Sequence, residues 1–350
     1  MDERVLEKWG WGAPFREAWR VQAGPGEQPA RITADYGVEY LLGTTDGELR
    51  ATIPGKLRMA IRKGDSARPV VGDWVSFEPR AQEGTTVIQS VLPRRTQLTR
   101  KAAGRTAEEQ VVAANLDGVF LVSALTKDLN PRRLERYLTV AWDSGARPVV
   151  LLTKSDLSED APRERERIAA LAQDVPVHTV SAVTGEGLDA LAPYLGPGQT
   201  VALIGSSGVG KSTLINRLLG SARQEVREVS EDDKGRHTTT HRELFILPGG
   251  GLVIDTPGMR ELGVMENEEG LRATFTDIEA LATGCRFSDC RHEREPGCAV
   301  REAVRTGPLP AERLEAFHKL NQEVARPEHD APLRTRGRQE KAPPPRKRGR

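Results

Sequence analysis

The sequence predicts a multidomain α/β protein: an N-terminal β-barrel, a parallel α/β domain, and a C-terminal helical segment built around a metal. Three observations carry that prediction. Short β-rich runs with turn residues fill an early stretch, near-continuous apolar strands alternate with helical stretches in the middle, and all three cysteines lie between Cys285 and Cys298. A chain of 350 residues with 37% hydrophobic residues can bury two or three cores, because domains of roughly 100 to 200 residues are usual.

Residues 1–30, including "EKWGWGAPFREAW", read as an N-terminal extension to which no chemistry attaches. From 31 to 95 the runs "ARITADYG", "VEYLLGTTDGELRATIPG", "VVGDWVSFEPR" and "GTTVIQSVLP" are separated by Asp-Gly and Pro-Gly signals, the pattern of several short strands forming a barrel or sandwich. A barrel of this length resembles an OB-fold. SH3-like barrels share the pattern, so the two remain open at this point.

After a basic connector, "PRRTQLTRKAAGRT", the texture changes over 96–265. Apolar strands occur at "LDGVFLVSAL", "ARPVVLLTKSD", "VPVHTVSA", "QTVALIGSSG" and "GGLVIDTPG". Between the first two lies "NPRRLERYLTVAWDSG", where Asn130 can cap a helix, Pro131 suits its first position, and Leu134, Tyr137, Leu138 and Ala141 share a face. Strands buried on both sides and alternating with helices make a parallel sheet. Ligands of such sheets bind beyond the carboxyl ends of the strands, where each motif below falls.

"GSSGVGKS", Gly205 to Ser212, fits G-x-x-x-x-G-K-[ST] and stands between an apolar strand and a helical stretch, the context that motif requires. Gly205, Ser206, Ser207, Gly208, Val209 and Gly210 would wrap phosphate oxygens with main-chain N–H groups, and the helix N-terminus running on through Thr213 adds favourable partial charge. Lys211 should reach the β- and γ-phosphates, and Ser212 should ligate Mg²⁺. "LVIDTPG" places Asp255 at a strand end, where a carboxylate can hold Mg²⁺ through water and the Gly258 N–H can meet a γ-phosphate. Between them, "DDKGRHTTTHREL" reads as a switch loop in which Thr238 or Thr239 closes over the metal. A plain loop is the alternative.

"LLTKSDL", Leu151 to Leu157, has the look of a base-recognition loop. A carboxylate at Asp156 hydrogen-bonded to N1 and N2 of guanine would leave buried groups unpaired with adenine, discriminating by roughly 10⁴ to 10⁵. The stem of Lys154 can cover the base plane, and the backbone of Ser181 and Ala182 in "TVSAVTGEG" can face guanine O6. TKSD alone occurs by chance in many proteins. Two base-side motifs with three phosphate-side motifs are not a coincidence, and the base side comes first: the motifs of a GTPase stand here in rotated order. Rotation is permissible because strand pairing holds the sheet and termini lie at the surface.

From 266 to 330 helical and irregular segments surround "CRFSDCRHEREPGC", and a final helix "PLPAERLEAFHKLNQEVAR" follows. Cys285, Cys290, His292 and Cys298 match a closed structural Zn²⁺ site of three thiolates and one imidazole. Redox cysteines beside an unrelated histidine are the bland alternative. Residues 331–350 read as a disordered basic tail, too polar to offset their ordering entropy. The net charge is only +1, so any nucleic-acid affinity must come from local patches such as this tail and "PGKLRMAIRKG". No apolar run approaches the roughly 20 residues that cross a bilayer, and the first residues lack a signal-peptide core, so a cytosolic protein is expected.

A β-barrel, then TKSD, VSA, GSSGVGKS, GRHTTT and DTPG in that order, then C-x4-C-x-H-x5-C, resembles the circularly permuted, ribosome small-subunit-dependent GTPase family known as RsgA or YjeQ, over roughly 31 to 325. The resemblance implies an OB-fold, a permuted GTPase domain and a zinc-binding domain. It also implies a role in late maturation of the small ribosomal subunit, with slow GTP hydrolysis stimulated by that subunit and its rRNA as partner. Two departures stand out. Thr153 opens the base motif where many GTPases have Asn, which weakens the expected link to the phosphate loop. Met259 follows DTPG where a water-orienting Gln often stands, and the resemblance points instead to His237 of GRHTTT. The expected function is a monomeric GTP-hydrolysing assembly factor. A zinc-dependent RNA-binding module with a vestigial nucleotide site, and a small-molecule ATPase or kinase, are the rivals; Lys211, Ser212 and Asp255 argue against the first and Asp156 against the second.

Overall fold

The computed structural model describes residues 3–79, 86–101, 109–127, 129–220, 242–256 and 268–325. Two short helices, α1 (Arg4–Glu7) and α2 (Ala13–Gln22), lead into five strands: β1 (Gln28–Asp35), β2 (Glu39–Thr44), β3 (Gly47–Thr52), β4 (Trp74–Glu78) and β5 (Thr86–Val91). The strands pair in the order β1-β2-β3-β5-β4, and β4 returns to pair with β1. β3 and β5 run parallel. This five-stranded closed path is that of an OB-fold, and strand order therefore decides between the two barrel types that the turn pattern allowed.

The helix α3 (Gly55–Lys63) crosses between β3 and β4. Leu57 anchors it to the barrel, while Lys56, Arg58, Arg62 and Lys63 are exposed along it. The first residues pack rather than trail: Leu6, Trp9, Trp11 and Phe15 are all buried. Trp11 meets Trp74 edge-on with ring centroids 4.5 Å apart, an arrangement favoured by the ring quadrupoles. Trp9 lies so close to Gly43 that a Cβ there would sit 2.5 Å from its ring.

A hairpin, β6 (Gln97–Lys101) and β7 (Glu109–Ala114), leads to the central sheet. Its elements are β8 (Gly118–Ala124), α4 (Pro131–Asp143), β9 (Arg147–Thr153), α5 (Ala161–Ala172), β10 (Val177–Val180), β11 (Thr200–Ile204), α6 (Lys211–Leu219), β12 (Arg242–Ile246) and β13 (Leu252–Asp255). The order is β10-β9-β8-β11-β13-β12, parallel except for the edge strand β12. Val119 and Leu121 of β8 join one hydrophobic cluster, and Phe120 and Val122 join another on the opposite face. Alternation between two apolar faces explains why these strands read as unbroken apolar runs.

Strand pairing and a buried arginine are among the contacts that join the barrel to the parallel sheet. β12 pairs with β1 through Ala34 opposite Glu243 and Asp35 opposite Arg242, which covers an edge that would otherwise present unpaired backbone. Arg31 of β1, fully buried, donates from Nε to the Gly72 carbonyl at 3.2 Å, from Nη2 to the Asn115 carbonyl at 3.0 Å, and from Nη1 to Trp9 O. Burial pulls its pKa down to about 10. It therefore stays charged at neutral pH.

The C-terminal part contains α7 (Glu268–Thr274), α8 (Thr276–Ala282), α9 (Ala299–Thr306) and α10 (Ala311–Ala325), packed on Phe275, Ile278, Val300, Phe317 and Leu320. Arg313 of α10 pins it to the central sheet, donating to Glu135 of α4 at 2.9 Å and to Asp277 of α8 at 2.9 Å, with its guanidinium 4.2 Å from the centre of the Phe275 ring. Among the described residues no helix is long and apolar enough to cross a membrane.

Candidate nucleotide site and metal site

Strand register assembles the site. Val180 stands opposite Thr153, Thr153 opposite Ala124, Leu121 opposite Ile204, and Leu203 opposite Asp255. The strands point the same way, so the loops after β9, β10, β11 and β13 emerge on one edge. Lys154 and Asp156, Ser181 and Ala182, the loop from Gly205 to Ser212, and Asp255 are thereby brought together from segments far apart in the chain.

The phosphate loop is tightly determined by its glycines. A Cβ on Gly205 would lie 2.3 Å from the Val122 carbonyl oxygen, so the chain leaves β11 in contact with β8 backbone only because that residue has no side chain. Gly208 and Gly210 have φ of +80° and +99°, a region that costs other residues strain. These turns open directly into α6, whose first turn carries Lys211, Ser212 and Thr213. The N-terminus of α6, with its first-turn N–H groups and the positive end of the helix dipole, directly adjoins the loop. Lys211 Nζ donates to the carbonyls of Gly205 at 2.6 Å and Ser206 at 2.9 Å, holding the ammonium at the loop. Ser207 and Gly208 are exposed at its rim, and Val209 is buried beneath it.

On the base side, Lys154 has φ of +59°, which turns the chain into a single 3₁₀ turn, Ser155–Leu157, with Asp156 exposed. Thr153 is buried, and its hydroxyl donates to the Val209 carbonyl at 2.5 Å. The link between base loop and phosphate loop is thus made by a threonine hydroxyl. Replacing Asn by Thr shortens the reach without removing the bond. Ser181 is also buried; its Oγ accepts from the Thr184 N–H at 3.1 Å and its N–H donates to the Glu186 carbonyl at 2.9 Å. Those bonds fold the loop on itself and leave Ala182 half-buried at the edge. Asp255 ends β13 half-buried, and the adjacent Thr256 hydroxyl donates to the Leu203 carbonyl at 2.6 Å, locking β13 to β11. Gly258, His237, Thr238 and Thr239 lie outside the described residues.

The ligand atoms of Cys285, Cys290, His292 and Cys298 all lie within 4.8 Å of one another. His292 Nδ1 is 3.4 Å from Cys298 Sγ and 3.6 Å from Cys285 Sγ, and the two sulfurs are 3.9 Å apart. Bonds of about 2.3 Å to sulfur and about 2.0 Å to nitrogen in a tetrahedron imply edges of roughly 3.5 to 3.8 Å, so these three edges match one tetrahedral metal, and Cys290, within 4.8 Å of each, is the fourth ligand available to it. The loop is organised around it. Glu295 accepts from the N–H groups of Arg291, Glu293 and Arg294 at 3.1, 2.9 and 2.9 Å. Cys298 caps α9, its Sγ accepting from the Arg301 N–H at 3.4 Å.

The model of the RsgA GTPase family matches residues 91–265. The chain is 48% identical over 333 residues to the small ribosomal subunit biogenesis GTPase RsgA of Opitutus terrae, covering 92% of this chain and 90% of that one. The chain belongs to the RsgA GTPase family. Among solved structures, YjeQ from Thermotoga maritima superposes with a TM-score of 0.64 at 28% identity, covering 86% of this chain and all 100% of that one. The circularly permuted GTPase YloQ gives 0.60 at 26% identity, covering 87% and 96%. Members of the RsgA family are GTP hydrolases, and the permuted order explains why the base-side strands β9 and β10 precede β11 in the chain while sitting beside it in the sheet.

Two residues at the RsgA phosphate loop escaped the sequence reading. Arg133 Nη1 donates to Ser206 Oγ at 2.8 Å, and Tyr137 Oη lies 3.3 Å from the same atom. Tyr137 was legible as part of an apolar helix face; its hydroxyl was not. The available signal is positional: α4 directly follows β8, the strand beside β11.

Proposed function

We propose that this chain is a small-subunit biogenesis factor that binds the small ribosomal subunit and its rRNA, hydrolyses GTP to GDP and phosphate during late maturation of that subunit, and leaves on hydrolysis. The single observation that carries the reading is the convergence of Asp156, Lys211 and Asp255 on one sheet edge within a chain of this family. Relatives sharing the name small ribosomal subunit biogenesis GTPase RsgA support the partner. Asp156 selects guanine, the backbone at Ser181 and Ala182 faces O6, and Lys154 covers the ring. The N–H groups of Gly205 to Ser212 and Lys211 hold the triphosphate, where they stabilise the negative charge that builds up in phosphoryl transfer. Ser212 and Asp255 suit Mg²⁺, which when bound neutralises charge on the phosphates. Thr238 or Thr239 completes that shell, Gly258 meets the γ-phosphate, and His237 orients the attacking water once the ribosome orders its loop.

The cysteine and histidine cluster holds one structural Zn²⁺ that organises 266–330. The divisions at 31–95, 96–265 and 266–330 act as RNA-binding barrel, GTPase and zinc-binding unit, with β1 carrying the barrel back to Gln28 and the segment at 1–30 packed on it, and with a basic tail at 331–350. The exposed cations of α3 suit a phosphate backbone and would weaken with salt. The factor works as a cytosolic monomer. Turnover of GTP and ATP with and without purified small subunits tests the reading. GTP-selective turnover that rises with subunits and vanishes in Lys211→Ala supports it; stimulation that survives Lys211→Ala contradicts it.

A further inference from the structure

Catalysis of phosphoryl transfer rests on how the groups around the phosphates are positioned, and one hold on the phosphate loop comes from a helix outside the sequence motifs. Arg133 and Tyr137 stand one turn apart on α4 and converge on the Ser206 hydroxyl at 2.8 and 3.3 Å, while the Ser206 carbonyl accepts from Lys211 Nζ at 2.9 Å. One loop residue is therefore gripped through its side chain by α4 and through its main chain by the lysine that serves the phosphates.

The other arginines of α4 are spent elsewhere. Arg132 pairs with Glu315 at 3.3 Å and Arg136 with Glu323 at 2.6 Å, both on α10. Among the described residues no carboxylate pairs with Arg133, whose guanidinium goes to the loop. Its helix is a firm base. Asn130 caps it through the Arg133 N–H at 3.1 Å, Glu135 meets Arg313 at 2.9 Å, Thr139 meets Thr274 at 3.1 Å, and Asp143 accepts from the Gly270 N–H at 2.8 Å. Arg133 is itself exposed, and the helix that carries it, held at these four points, is the fixed base from which its guanidinium reaches the loop.

We propose that Arg133 is a positioning residue for GTP hydrolysis: acting through Ser206, it fixes the first turn of the phosphate loop so that the loop N–H groups and Lys211 meet the phosphates in reactive geometry. The inference rests on the hydrolase reading of the site. Misplacement of reacting groups by about 1 Å can lower a rate by about 10²-fold, and loss of one of two side-chain holds should give less.

The test is steady-state GTP turnover by the full chain without a partner, wild type measured first. Arg133→Ala should lower kcat about tenfold with KM changed less than about threefold, and Arg133→Lys, which keeps one donor, should recover most of it. Ser206→Ala should lower kcat similarly. The double variant should be no worse than either single one, because effects along one chain of contacts are not additive. Arg132→Ala, which removes a neighbouring exposed charge, should leave turnover unchanged. Undiminished kcat in Arg133→Ala, or effects of Arg133→Ala and Ser206→Ala that multiply, would overturn the proposal. A wild type that hydrolyses no GTP would remove the hydrolase reading and this inference with it.

Discussion

The Thr153 hydroxyl, at the end of β9, donates to the Val209 carbonyl in the phosphate loop at 2.5 Å. This bond ties the strand that leads to Asp156 to the loop that carries Lys211. Thr153→Val keeps the shape and removes the donor, leaving a buried carbonyl unmet at a cost of about 1–3 kcal/mol. GTP binding, measured by calorimetric titration, should weaken about tenfold, and Thr153→Ser should restore it.

Asp156 is exposed at the mouth of the base loop, on a turn set by the left-handed Lys154. Asp156→Asn replaces one acceptor oxygen by a donor facing guanine N2. Hydrogen bonds to charged groups contribute about 1.5–3 kcal/mol, so GTP affinity should fall by about 10²-fold. Xanthosine triphosphate, which carries oxygen at that position, should bind the variant better than GTP does. Competition binding with both nucleotides reads this out; unchanged preference for GTP contradicts the role given to Asp156.

How far the sequence carried can be judged from particular residues. The loop from Gly205 to Ser212, the cysteine and histidine cluster, and the apolar strands were legible because each depends on local spacing or composition. The choice of barrel was not, since β1-β2-β3-β5-β4 order is a matter of non-local pairing, and neither was the pairing of β1 with β12. Trp9 and Trp11 sit in a stretch with no sustained periodicity, so their burial against Gly43 and Trp74 left no trace in pattern. In the stretch that forms α4 only the apolar face was legible; Arg133 meets the loop because β8, which α4 follows, lies beside β11.

Asp143 ties α4 to α7, and burial raises its carboxyl pKa to about 6 against the opposing effect of the Gly270 N–H bond. Its ordinary value is 3.8. Between those two values the folded chain binds more protons than the unfolded chain, so stability contributed here is complete below the unfolded pKa and declines as pH rises through the folded one. Asp143→Asn keeps an acceptor for Gly270 and cannot ionise. Urea denaturation should find it close to wild type near pH 4 and more stable than wild type near pH 8. A difference independent of pH contradicts the assignment.

The four ligand atoms at Cys285, Cys290, His292 and Cys298 converge within 4.8 Å in a loop whose own apolar content is small. A metal bound there would contribute its binding free energy to the folding of α9 and its surroundings. Cys290→Ser, or exhaustive chelation, should release close to one zinc per chain by elemental analysis and lower the first thermal transition. Nucleotide binding to the central sheet should change far less.

The central claim is that one nucleotide pocket is built from two segments in reversed chain order, and a structure with a non-hydrolysable GTP analogue and Mg²⁺ tests it most directly. The account predicts guanine N1 and N2 within hydrogen-bond reach of Asp156, and the triphosphate wrapped by Gly205 to Ser212 with Lys211 at its β- and γ-oxygens. An analogue whose purine lies away from Asp156 while its phosphates fill that loop, or one bound elsewhere altogether, would contradict it.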